Sequence, residues 1–496
     1  MFDEGDSQTL LEYLKSVFSD DPDFKVRHVP VLDGQATITV VYIEGLVEND
    51  VLNKQIIERV QDSRRDDECK PSWSQLMDFI SSNIISLSSV YCSADQNHIV
   101  DAILTGNVIL AIDDAETVLV TGIRKQEKAE KAEVEPSLQS GNEAFSSDIN
   151  KNYALLRKRL PSSELKCKQL VVGRISRTRV RIVWLDSVAN PKIVDEVWQR
   201  INRIDIDTVH SISVITELTE DSPLSIWPQY RMTERLDVTA ANLADGHVAI
   251  LCDNFSFVVI VPIFILEEFQ ASDDYSQKWI FASMTRIIRY FAFFISSTLS
   301  SLYLSFATIN HSIMPPALAI RISAGRQDVP FPSVIELLLM TLTIDLLREA
   351  GIRLPRALGS AIGILGAVVI GQSAVQAGYV SPVVIIVISM SAISSFVLPS
   401  IYISNVSRFL NYFLILLAAF FGLFGVIIGL IYMLWRLFCI RSFGVPIAHR
   451  LGSGELSLMK DIWVRFPLWK LRNRPRLLTE NDTAMGKSTG KPGPEK

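Results

Sequence analysis

Four charged side chains stand where the chain is otherwise preparing to enter lipid: Glu336, Asp345, Arg348 and Glu349, all within the apolar stretch 333–350. A charge in hydrocarbon must be paired or wetted. Asp345 and Glu349 are four apart on one helix face, with Arg348 and Arg353 near enough to neutralise them, so the group reads as an ion-pair staple or as a cation-attracting vestibule. Further on, 359–377 keeps Gln372, Ser373 and Gln376, for which lipid offers no hydrogen bonds. Steps of three or four residues align Leu365, Val368, Gln372 and Gln376 in one stripe, apolar at one end and amide-lined at the other. A narrow pore wall with a hydrophobic constriction is built that way, and so is a packed helix whose glutamines bond to neighbours. Another face carries Gly359, Gly363 and Gly366, small enough for helix backbones to approach closely.

These residues need a bundle to hold them. Residues 1–246 read as ordinary soluble protein, 287–435 are mostly apolar, and 436–496 are polar again. That tail has twelve Lys or Arg against five Asp or Glu, a balance of +7, which leaves −13 on the rest of the 496-residue chain. Membrane spans are expected at 287–308, 359–377, 382–399 and 409–435, the last longer than a bilayer core requires. Lys278, Arg286 and Arg289 start the first on the cytosolic face. With four spans the basic tail returns to the cytosol beside the N-terminal half, so 333–350 is read as interfacial, re-entrant or buried in an assembly. The motif from Trp463 to Trp469, with Lys470, Arg472, Arg474 and Arg476, suits an anionic lipid surface.

The soluble half contains a duplication. TVVYIEGLVENDVLNKQIIER at 39–59 aligns with RIVWLDSVANPKIVDEVWQRI at 181–201, an offset of 142, and GNVILAIDDAETVLV at 106–120 with GHVAILCDNFSFVVI at 246–260, an offset of 140. Each copy reads as strand, acidic residue, loop and helix, then glycine, strand, acidic turn and strand. Residues 247–265, apolar enough to mimic a span, are therefore two buried strands. The run RKQEKAEKAEVE at 124–135 is a solvated linker or an exposed helix. Arg174, Arg177, Arg179 and Arg181 read as salt-bridge or subunit-contact residues, since an acidic half without aromatic platforms does not suit nucleic acid. No nucleotide-binding, hydrolase or zinc-protease motif occurs and the six histidines are isolated, so no catalytic, cofactor or metal residue is assigned and the chain is read as a non-enzyme. Five scattered cysteines fit reduced thiols, and an acidic first turn without an apolar h-region leaves the N-terminal half in the cytosol.

Four blocks carry a family resemblance: residues 348–382, VGRISRTRVRIVWLDSVANPKIVDEVWQRINRIDID at 172–207, EDSPLSIWPQYRMTERLD at 220–237 and RSFGVPIAHRL at 441–451. Together they resemble the A subunit of the GerA-type spore germinant receptors over about 105–450. One block departs: where the family reads R-G-P-R-E-G-F-x-E, this chain has Gln139-Ser140-Gly141-Asn142-Glu143-Ala144-Phe145, without either arginine. The resemblance implies an inner-membrane protein of the bacterial endospore, working with a transporter-like, nutrient-binding B subunit and a lipoprotein C subunit. It further implies self-association and a nutrient-gated, ion-conducting role. A non-conducting signalling scaffold is the alternative; a solute transporter would favour inverted repeats, which the membrane half lacks. The expected fold is thus a tandem α/β module (1–123 and 137–270 around a 124–136 linker), a multi-span α-helical membrane domain (271–440) and a basic cytosolic tail (441–496). If the small-residue face of 359–377 packs helices, Gly363→Leu and Gly366→Leu will each disrupt assembly, read as loss of the oligomer on size-exclusion chromatography in detergent.

Overall fold

The computed structural model describes residues 6–19, 21–31, 36–61, 90–112, 117–125, 127–137, 139, 141–353, 371–449, 461–470, 474 and 477–479. The chain divides into two compact units, one of Met1–Glu220, Tyr230–Pro262 and Arg472–Ser488, the other of Asp221–Gln229, Ile263–Leu471 and Thr489–Lys496.

The first unit is two copies of one topology. Copy one runs α1 (Asp6–Val17), β1 (Phe24–Val31), β2 (Ala36–Ile43), α2 (49–61), β3 (Val90–Ser93), α3 (Gln96–Leu104), β4 (Asn107–Ile112) and β5 (Val118–Gly122). Copy two runs α4 (Ile149–Arg159), β6 (Leu165–Val172), β7 (Thr178–Leu185), α5 (Pro191–Asn202), β8 (Arg231–Thr233), α6 (Leu236–Ala244), β9 (Val248–Cys252) and β10 (Val258–Val261). Both sheets are antiparallel, ordered β1-β2-β4-β5-β3 and β6-β7-β9-β10-β8. Even the register repeats: Ile38 faces Ile112 and Val41 faces Ile109, as Val180 faces Cys252 and Val183 faces Ala249. Alternation along the strands explains the layers. Val40, Tyr42, Val108 and Leu110 pack on Leu52 and Ile56 of α2, whereas Val41, Ile43, Ile109 and Val120 pack on α1 and α3. Gly106 and Gly246 leave α3 and α6 at φ +83° and +96°, a conformation that a side chain would strain.

Four charges lock the copies together. Arg181 grips Asp23 with two bonds of 2.8 and 3.0 Å, and Arg157 meets Asp21 at 2.6 Å with both side chains sealed from solvent. The Tyr153 ring lies 5.2 and 5.3 Å from the two guanidinium carbons, and its hydroxyl accepts from Arg157 at 2.7 Å. Such a buried cluster adds little net stability over an apolar core, but losing one member strands a charge, so it fixes the orientation of the copies. Arg174 and Arg179 pair with Asp205 and Asp253.

The copies differ where the chain leaves. In copy one, residues after β5 return alongside α2's leading loop, and Val47 bridges Arg124. In copy two the chain departs at Pro262, and the C-terminal tail fills the equivalent place: Ala189 bridges Thr479, and Asn190 N–H donates to the Leu478 carbonyl at 2.8 Å. Leu478 is fully buried.

The second unit is helical: α7 (Trp279–Thr308), α8 (Ser333–Arg353), α9 (Gly371–Gln376), α10 (Pro382–Phe396) and α11 (Ile401–Cys439). Of these, α7 and α11 are each long and apolar enough to cross a membrane. α11, read from sequence as one span over 409–435, doubles back on itself. Gly422 sits at φ 59°, ψ −142°; a Cβ on Gly425 would meet the Leu417 carbonyl, one on Gly429 would meet Leu414, and Phe413 packs on Tyr432 at 6.3 Å. Residues so far apart on one straight helix could not touch. Two antiparallel legs, 401–421 and 423–439, result, and Asn310 Oδ1 caps the second by accepting from Leu423 N–H at 3.0 Å. Where the sequence suggested flanking charges, Arg286 and Arg289 are buried: both reach Asp274, at 3.2 and 2.8 Å, and Arg286 also reaches Asp461 at 3.1 Å. Arg465 donates to the carbonyls of Asp274 and Gln277, and Trp463 packs on Tyr290 at 4.8 Å, so 461–470 is stapled to the start of α7.

Replacing Leu478 by Asp buries a charge in the slot that completes copy two. It will cost about 2–4 kcal/mol, seen as a lower Tm of the full chain and faster hydrogen exchange at Ala189 and Asn190.

Candidate functional site in the helical unit

α8 carries its charges at two depths. Near its start, Glu336 is fully buried; one carboxylate oxygen accepts the Ser381 backbone N–H immediately before α10, and the other faces Arg326 at 3.9 Å. A negative charge there suits the N-terminus of α10. Two turns and more along, Asp345 accepts from the Tyr412 hydroxyl at 2.7 Å and pairs with Arg408 Nε at 3.0 Å, both from the first leg of α11. Arg348 turns elsewhere: it donates to Ser395 Oγ of α10 at 2.6 Å and covers the Phe396 ring at 4.3 Å. Glu349 pairs with Arg353 at 2.7 Å on the exposed end of the helix. The four sequence-derived charges thus do not form one staple. Only Glu349 and Arg353 do so, while Asp345 and Glu336 each bind a different partner helix.

Asp345, Arg348 and Arg408 open on a cavity of about 30 Å³ between α7, α8, α10 and α11, whose walls include Ser391, Ser395 and Asn411 as well as the apolar Ile344 and Ile388. Hydroxyls continue away from it: Ser300 meets Ser391 at 3.3 Å, and Ser297, Ser301 and Ser305 of α7 are buried with their hydroxyls on their own helix carbonyls. This seam is polar but satisfied, so it can hold water or a small ion without unravelling a helix.

On α9, Gln372, Ser373 and Gln376 are all exposed on the single chain. Leu365 and Val368 of the stripe, and Gly359, Gly363 and Gly366, lie outside the described residues. Close helix approach among the described residues is made by Gly425 and Gly429 instead, against the facing leg of α11.

With this geometry in place, residues 12–477 match the family model described as Bacillus/Clostridium GerA spore germination protein. The chain belongs to that family. As a GerA-family member it is 36% identical to spore germination protein A1 of Bacillus subtilis (strain 168), over 76% of its length and 78% of the relative's. It is 31% identical to spore germination protein GerLA of Bacillus cereus, over 97% of each chain. A membrane protein of Bacillus subtilis, YfkQ, is 34% identical over 88% of this chain and 84% of its own. Among solved structures, the N-terminal domain of the A subunit of the Bacillus megaterium spore germinant receptor GerK3 aligns with 51% of this chain and 92% of its own, at 26% identity and a TM-score of 0.41.

Sequence reasoning missed Arg408, Tyr412 and Arg326. Arg408 had a signal: it is the one charge between Ile401 and Trp435, and an isolated arginine in an apolar helix asks for a buried acid. Asp345→Asn leaves Arg408 without its carboxylate. Because Arg408 is about a third exposed, the loss will be about 1–3 kcal/mol, against about 1 kcal/mol for Tyr412→Phe. Thermal unfolding of the single and double variants checks this, with non-additive losses expected.

Proposed function

We propose that this GerA-family chain is the A subunit of a nutrient-germinant receptor, and that copies of it surround an ion path that opens when a partner senses the nutrient. The observation that carries this reading is the exposed amide face of α9. Two glutamines and a serine on a membrane helix cannot rest against lipid without losing their hydrogen bonds. A water-filled path between identical chains would satisfy all three in every copy at once, and Leu365 and Val368 on the same stripe supply the constriction that dewets when closed. Nutrient binding to a transporter-like B subunit shifts the balance toward the open state by its differential affinity, and a lipoprotein C subunit completes the receptor. The receptor acts in the inner membrane of the bacterial endospore, with lipid around the bundle.

Topology supports a return of the tail to the starting side. The chain leaves the α/β unit at Pro262 and residues 477–479 complete that same unit, which supports an even number of membrane crossings. With α11 counted as two legs, the helices α7, α8, α10 and those legs, together with the span expected from sequence at 359–377, make six crossings. On this reading α8 crosses the membrane rather than lying at its surface, and both termini are cytosolic.

Planar-bilayer recording of the purified chain tests the proposal. Wild type will show rare openings; Val368→Ser will leak without nutrient, and Gln372→Leu will lower unitary conductance. No current from either wild type or Val368→Ser, with normal assembly, would instead favour a non-conducting scaffold.

A further inference from the structure

The cavity between α7, α8, α10 and the first leg of α11 is not electrically balanced. It holds one carboxylate, Asp345, and two guanidinium groups, Arg348 and Arg408. Asp345 is spent on Arg408 at 3.0 Å and on the Tyr412 hydroxyl at 2.7 Å. Arg348 makes its direct contacts to neutral groups, the Ser395 hydroxyl and the Phe396 ring; Asp345 and Arg408 act on it with opposite signs across the cavity, and its Nε is buried without an acceptor. Among the described residues no other acid stands in for the missing one: Glu349, next in sequence, is taken by Arg353. Residues 354–370, which follow α8, contain no Asp or Glu.

An unneutralised guanidinium among membrane helices is costly, and a counter-ion relieves that cost. Size restricts the choice. The innermost space, about 30 Å³, is room for one water-sized particle, which suits a halide better than phosphate or sulfate. The walls offer donors to such a particle, Arg348 Nε and the Asn411 amide, while the Ser395 hydroxyl is already donated to the Ala392 carbonyl. Asn411 is 6% exposed and its Oδ1 has no partner, and rotation of the amide presents its NH₂ group to the cavity.

We propose that this cavity binds a single monovalent anion of halide size, chloride being the physiological candidate, held between Arg348 and Arg408. The bound anion neutralises the bundle where α8, α10 and α11 meet. It does so whether or not the chain conducts.

The test uses the full-length chain in nanodiscs of neutral phosphatidylcholine, unfolded thermally in sodium chloride, bromide or gluconate at equal ionic strength. Chloride and bromide will raise the midpoint saturably and gluconate will not. Arg348→Gln will lose the halide-dependent rise while keeping, in gluconate, a midpoint at or above wild type, because the unpaired charge is gone. Asp345→Asn removes the competing carboxylate and will tighten apparent chloride affinity by about tenfold or more. Equal wild-type midpoints in chloride and gluconate would overturn the proposal, as would a halide effect that survives Arg348→Gln. If Arg348→Gln does not assemble, unchanged chloride affinity in Asp345→Asn overturns it instead. A midpoint that follows added anionic phosphatidylglycerol, and not halide, would assign the charge to lipid phosphate and also overturn it.

Discussion

A charge buried among apolar helices has to find its partner within the protein, and Asp345 is where the helical unit meets that demand. One carboxylate ties α8 to the first leg of α11 through Arg408 and Tyr412, while Arg348, one turn on, ties α8 to α10 through Ser395. Glu336 does the same near the other end of α8 by capping α10. Because α8 is pinned at both depths by charge rather than by shape alone, the apolar faces left over, among them Leu339, Leu342 and Leu346, are free to meet lipid or another chain. The serine seam of α7 and α10 follows from the same rule, since small hydroxyls bond to their own helix and leave a polar wall without orphaned groups.

The α/β unit obeys a different constraint. An α/β copy buries its sheet only if both faces and the loop beside Ala189 are covered, and copy two gives up its own continuation to send the chain into the helical unit. The tail at 477–479 restores what copy one has in sequence, Val47 with Arg124 becoming Ala189 with Thr479. A structural need of the α/β unit thus dictates where the chain must end up after its helices. The buried cluster of Asp21, Asp23, Arg157 and Arg181 then makes the two copies one body.

Most of the α/β architecture was legible in sequence because duplication is a comparison of the chain with itself: the offsets of 142 and 140 recur unchanged in the strand register. Local signals also survived, such as the glycines before β4 and β9 and the cap of α5, where Asn190 accepts from Lys192 N–H ahead of Pro191. Long-range pairing was not legible. Nothing in spacing links Asp345 to Arg408 or Asp274 to Arg286 and Arg289, because a helix periodicity says which face a residue occupies and not which helix it meets. The reversal at Gly422 was hidden for a related reason. An unbroken apolar run has no polar turn to mark its middle, and the glycines at 422, 425 and 429 read equally well as a kink. The tail's return into copy two had no signal beyond Leu477 and Leu478, two leucines in a basic stretch.

The account stands or falls on whether the amide face of α9 meets water. Gln372→Cys and Gln376→Cys, each in a cysteine-free background, should be modified in intact membranes by a membrane-impermeant, charged thiol reagent. Ile386→Cys, an exposed apolar position on α10, should resist it. Modification of both glutamine positions, with protection of Ile386→Cys, is the expected result. Resistance of Gln372→Cys and Gln376→Cys equal to that of Ile386→Cys, in an assembled and germination-competent receptor, would contradict an aqueous path along this helix.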